Sequence, residues 1–143
     1  MTLPHYSKTY TVWAPVAGRV MFGLLFLYAS YGKIPGTESY RMAVDYSAGF
    51  WLPFPEVSIM LAFILEIIAG IALIVGWKTR IAAFLLMLYT ALLTLIFHTG
   101  FADQMATGFF VSHLGLIAGL LYISVYGKQS EAVKKPILPK DSS

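Results

Sequence analysis

The sequence predicts an all-α fold, an integral membrane four-helix antiparallel bundle. Of its 143 residues 58% are hydrophobic and only 12% charged, about half the ~25% typical of soluble domains. Four apolar runs come close to the roughly 20 residues that a helix needs to cross a bilayer's hydrocarbon core. Short connections between most of them make neighbours antiparallel and return both termini to one side. One such bundle, over residues 13–127, consumes nearly the whole chain, leaving tails at 1–12 and 128–143.

The first helix is expected over residues 13–32. Pro15 falls in its first turn, where a missing N–H costs nothing. Lys8 ahead of an apolar stretch and the small pair Ala29-Ser30 resemble parts of a signal peptide. Arg19 interrupts the run, however, and Trp13 and Pro15 do not suit such a segment, so the helix is read as retained. The connection over 34–56 is the longest and is aromatic, with Tyr40, Tyr46, Phe50, Trp51 and Phe54, and Pro53 and Pro55 close it. An interfacial belt that anchors the loop is the preferred reading, with a lid over the bundle as the alternative.

The second helix, over 57–76, carries Glu66 near its middle and no other charge. An acid at that depth costs on the order of 3 kcal/mol, so a partner or a wet cavity must compensate. Either it is a functional carboxyl, or it makes a structural helix-to-helix hydrogen bond. The third helix, over 80–98, ends at His98, and the fourth covers 106–127. The lysine-, proline- and serine-containing tail beyond is expected to be flexible and to meet anionic lipid.

Orientation follows from charge. Lys8, Arg19, Lys78, Arg80, Lys128, Lys134, Lys135 and Lys140 share one side, leaving only Lys33 and Arg41 of the ten basic residues on the other. The positive-inside rule then puts both termini in the cytoplasm of a multi-pass (inner) membrane protein. Trp13 and Trp77 would sit at inner helix ends and Trp51 at the outer surface. Because the basic residues flank apolar segments and form no continuous patch, the net charge of +3 does not point to nucleic acid. The lack of cysteine excludes disulfides, thiol redox chemistry and thiolate metal sites.

Each helix also carries a stripe of small or polar residues at spacings of three and four. These are Arg19, Gly23, Phe26, Ser30 and Lys33 on the first; Ser58, Ala62, Glu66 and Gly70 on the second; Thr90, Thr94 and His98 on the third; and Ser112, Gly115 and Gly119 on the fourth. Most of this is a packing signal, since small residues let helices approach closely in lipid.

The ionisable residues have a different distribution. Lys33, His98 and His113 all fall in the outer half, with Glu66 near the midplane and Asp103 beside His98. Tyr28, Tyr31 and Tyr89 offer hydroxyls, and Arg19 lies about 10 Å below Glu66 in depth. A solvated cavity in the outer half, shared by Lys33, Glu66, His98 and His113, would relieve their desolvation together. Imidazole and carboxylate suit zinc, iron or copper, but Glu66, His98 and His113 match no established spacing and no metal is expected. A quinone or another lipophilic carbonyl suits the set better: Lys, Tyr and His donate to its oxygens, and Glu or His exchanges the protons of its reduction. No haem is expected, because no pair of ligands spans two helices.

Three blocks stand out: Gly18-Arg19-Val20-Met21-Phe22-Gly23 with Tyr31-Gly32-Lys33-Ile34, then Glu66-Ile67-Ile68-Ala69-Gly70 continuing to Gly76-Trp77-Lys78-Thr79-Arg80, and His98 closing the third helix. In this order they resemble the DoxX family of small four-helix bacterial membrane proteins. The likeness covers about residues 16–127. Ser112-His113 stands where the family's fourth helix often opens with asparagine. The resemblance implies a membrane component of a quinone-linked redox or stress-defence assembly; other relatives act as assembly factors. It also marks Arg19, Lys33, Glu66, Arg80 and His98, with no role attached. The expected function is thus a quinone-linked membrane subunit. A non-catalytic scaffold for a membrane or peripheral protein is the alternative, and an oligomeric small transporter the third reading.

Overall fold

A computed structural model describes residues 8–127, apart from Trp51, Phe101 and the side chains of residues 8–11. The tail over 128–143, the first seven residues and the interfacial placement of Trp51 lie outside the described residues. The fold is all-helical, in the order α1 (Lys8–Tyr31), α2 (Glu38–Ala48), α3 (Pro55–Val75), α4 (Thr79–Phe97) and α5 (Gln104–Tyr126). Four of the five, all but α2, are long and apolar enough to cross a membrane.

The boundaries have local causes. α1 begins at Lys8, ahead of the expected Trp13, and carries Pro15 in its interior. α3 opens with Pro55 at its first turn, behind Phe54 in the left-handed region (φ 49). At its other end Gly76 (φ 83) caps α3, donating its N–H to Ala72 O, and Trp77 N–H goes to the same carbonyl. Lys78 (φ 42) then turns the chain into α4. Asp103 caps α5 by accepting from Met105 N–H.

The aromatic connection holds a helix that the sequence reading did not anticipate. Thr37 caps α2 through the N–H of Tyr40, and Glu38 occupies its first turn. Tyr40, Ala43, Val44 and Ser47 face inward at helical spacing. Tyr40 donates its hydroxyl to Glu56 O, which ties α2 to the start of α3.

Helix α1 packs on α3, α3 on α4, and α4 on α5. The α1–α3 crossing is set by glycine: a Cβ at Gly23 would lie 2.6 Å from Gly70 O, and one at Gly70 3.1 Å from Gly23 O. Such a contact maximises dispersion between helices that lipid cannot drive together hydrophobically. Phe26, Leu73, Ala83, Leu86 and Leu120 form the core.

With Gly23 opposite Gly70 and Arg19 against Gly76, the antiparallel register of α1 and α3 is fixed. Residues 8–18 then run past the end of α3 by roughly 16 Å, at ~1.5 Å per residue. Lys33, at the other end, lies level with the second turn of α3.

On α5 the expected inward stripe is only partly used. Gly119 meets the Phe22 ring, but Ser112 is exposed and Gly115 has open space where a Cβ would be. The inward residues are instead Leu120 and Ile123, which are buried, and the half-buried His113.

Candidate functional site

Glu66 is 2% exposed and fully partnered. Lys33 donates to both of its carboxylate oxygens at 3.0 Å, and Tyr89 donates its hydroxyl to Oε1 at 2.8 Å. The chain achieves this by ending α1 early. Lys33 follows the last turn and folds its side chain back, so that the ammonium also donates to Ala29 O at 3.0 Å. α1, α3 and α4 are thereby stapled at one depth. The desolvation that a lone acid would suffer is offset by an opposite charge and a phenol.

A second polar group joins α4 to α5. The Thr94 hydroxyl lies 2.7 Å from Thr90 O and 2.8 Å from His113 Nδ1. A hydroxyl that donates to the carbonyl must accept from the ring, which places the proton of a neutral His113 on Nδ1 and leaves Nε2 as the acceptor. Thr90 in turn donates to Leu86 O. His98, the half-buried C-cap of α4, meets the His113 ring edge-on at 4.9 Å between centroids and lies beside Phe109 at 5.2 Å.

The four residues expected to share one cavity therefore stand as two pairs, Lys33 with Glu66 and His98 with His113. Among the described residues no hydrogen bond, ion pair or ring contact joins the pairs. Helix α4 separates them: Tyr89 reaches toward α3, and Thr94 toward α5. Lys33 binds Glu66, while Arg19 and His98, though near it in depth, make no hydrogen bond or ion pair with it. Tyr89 supplies the remaining donor.

A cavity of about 250 Å³ opens beside the histidine pair. Tyr46 comes from α2, Phe50 from the turn after it, Phe97 from α4, His98 from the cap of that helix, Asp103 from the following turn and Phe109 from α5. The aromatic walls brace each other, with Phe50 edge-on to Phe97 at 5.0 Å and Tyr46 stacked on Phe97 at 5.7 Å. α2 thus forms part of the wall through Tyr46, with Phe50 just beyond its end. Just below the roughly 300–1,000 Å³ of most ligand pockets, the cavity suits no more than a single flat ring. The His98 imidazole and the Asp103 carboxylate, with the hydroxyl-bearing Tyr46 and Thr99, are the polar groups of the lining that would orient such a ring. In the sequence Asp103 reads as a neighbour of His98 without a part in the site, and the segment that forms α2 reads as an aromatic belt or lid, not as a helix in the cavity wall.

The two family-pattern arginines lie at the opposite end. Arg80 donates its Nε–H to Ser124 O at 2.9 Å, binding the start of α4 to the last turn of α5, where carbonyls lack helical partners. Arg19 presses its guanidinium on Gly76, at the end of α3. Among the described residues no group of three or more His, Asp or Glu side chains is placed to hold a metal ion.

Comparison with known proteins bears on this architecture. A family model, DoxX, matches residues 14–99. An Escherichia coli (strain K12) protein described as inner membrane protein YqjF is 28% identical over 123 residues, covering 84% of this chain and 88% of its own length. No solved structure matches.

Proposed function

The chain belongs to the DoxX family, and from that premise we propose that it is a multi-pass inner-membrane subunit that binds a quinone, or a similar lipophilic carbonyl, in the aromatic cavity at His98. The observation that carries the reading is the cavity itself: flat aromatic walls around a single imidazole, at the membrane-boundary end of a transmembrane bundle. The relative named as an inner membrane protein supports the location, and the charge partition supports cytoplasmic termini.

The chemistry follows from the lining. Phe97 and Phe109 offer faces to a planar ring, and His98 donates an N–H to a carbonyl oxygen. Full reduction of a quinone takes up two electrons and two protons. His98 and Asp103 line the same cavity and can pass protons between the ring and the surface. The two electrons would be supplied by a separate reductant such as a flavin- or metal-containing redox protein, since with no cysteine the chain has no thiol to give them.

A non-catalytic scaffold is favoured by one observation. Glu66, the costliest residue of the bundle, directs its hydrogen bonds to Lys33 and Tyr89 and none to the cavity. Solvent extraction of the purified protein separates the two readings. A co-extracted species whose ultraviolet absorbance shifts on borohydride reduction, present with wild type and lost with His98→Ala, is expected for the carbonyl-binding subunit. Extracts free of such a species from both proteins favour the scaffold.

A further inference from the structure

Arg19 has among the described residues neither a counter-charge nor a hydrogen-bond acceptor for its buried Nε. Lys33 has Glu66, and Arg80 has a helix-terminal carbonyl. The Nε of Arg19 is buried and has no hydrogen-bond partner among the described residues, and neither of its terminal nitrogens has one there. The guanidinium instead packs flat on Gly76, whose absent side chain makes the room: a Cβ there would meet Nη1 at 3.1 Å and Nη2 at 3.3 Å. The negative end of the α3 dipole helps to hold the charge at this point, yet the donors of the planar fork stay unfilled.

The surroundings define what would fill them. Gly76 opens the α3–α4 turn, so Arg19 stands level with the end of a membrane-spanning helix, at the depth of the headgroup boundary. Two residues along the turn, exposed Lys78 holds its ammonium over the Trp77 ring at 5.0 Å from the centroid. Trp77 is itself 59% exposed, and Val75 and Ile71 continue an open apolar face into the membrane. A cationic fork, a second ammonium and an interfacial indole above an acyl-accepting surface match a phosphate that carries acyl chains.

We propose that Arg19 and Lys78 form a binding site for the phosphate of an anionic phospholipid at the α3–α4 turn. The fork takes two phosphate oxygens, the ammonium adds the second positive charge, and Trp77 lies along the glycerol backbone. Free inorganic phosphate shares the same chemistry. The lipid is the favoured occupant because Arg19 stands at the end of a membrane-spanning helix whose exposed Ile71 and Val75 offer an apolar surface for acyl chains.

Native mass spectrometry of the full chain, released from detergent loaded with phosphatidylglycerol or phosphatidylethanolamine, tests this. Wild type is expected to retain phosphatidylglycerol in preference and to keep it in inorganic phosphate buffer. Arg19→Gln should lower the retained fraction about tenfold, as expected for loss of a charged hydrogen-bonding partner. Lys78→Asn should lower it roughly fivefold, and because this substitution lies in an exposed turn it tests the site even where Arg19→Gln fails to fold. Arg41→Gln, at the other end of the bundle, should change nothing. Equal retention of the two lipids, displacement of lipid by inorganic phosphate, wild-type retention by Lys78→Asn, or an equal loss in Arg41→Gln would each overturn the proposal.

Discussion

Replacing Lys33 by methionine should be the most damaging single change to the bundle that leaves its apolar packing intact. Glu66 would remain, 2% exposed, with only the Tyr89 hydroxyl at 2.8 Å as a donor. Breaking one side of a buried ion pair costs about 3–5 kcal/mol. Since the Lys33 side chain is 19% exposed, some water reaches the site and the lower end, ~3 kcal/mol, is expected. Glu66→Met should cost somewhat less, because the freed ammonium can turn outward toward water. The double variant removes both charges and should recover most of the loss, leaving about 1–2 kcal/mol for the unpaired Tyr89 hydroxyl. Reversible unfolding in mixed micelles, run as a double-mutant cycle, measures the coupling. A value of roughly 2–4 kcal/mol is expected. Additivity within about 0.5 kcal/mol would show that the pair is not coupled and would refute the reasoning.

Gly23→Ala should destabilise the protein by about 1–3 kcal/mol, because its Cβ would press on the Gly70 carbonyl, which is backbone and cannot yield. Gly115→Ala, with open space around it, should stay within about 0.5 kcal/mol in the same unfolding assay. Thr94→Val should cost about 1–3 kcal/mol and release His113 from its Nδ1–H tautomer, which nitrogen NMR shifts of the imidazole report. A reporter fused after Ser143 should be active only in its cytoplasmic form; activity only in its periplasmic form would invert the orientation.

The spans were legible because a bilayer fixes their length, and Glu66 was legible because a charge at mid-membrane stands out against any apolar background. Its partner Lys33 was placed near it by depth alone. Depth gives height along the bundle but not direction around it, which is why His98 and His113 were grouped with Lys33 and Glu66. Only the structure shows α4 standing between the pairs, with Tyr89 and Thr94 on different faces of one helix. Helix α2 was missed because its aromatic residues read as an interfacial belt. The signal for it was present in the Thr37 cap followed by Glu38, and in Tyr40, Ala43, Val44 and Ser47 at helical spacing. On α5 the small-residue stripe misled, since in lipid a glycine can mark either a helix contact or a face turned to acyl chains. Here Gly119 does the first, while Gly115 has open space beside it.

The cavity at His98 is tested most directly by photolabelling the membrane-embedded protein with an azido-quinone and mapping the adducts by peptide mass spectrometry. Labelling concentrated in the segments that carry Phe50, Phe97, His98 and Phe109, competed by unlabelled quinone and lost in His98→Ala, is the predicted result. Adducts spread over the lipid-facing surfaces of α1 and α5, indifferent to competitor and to His98→Ala, would contradict it.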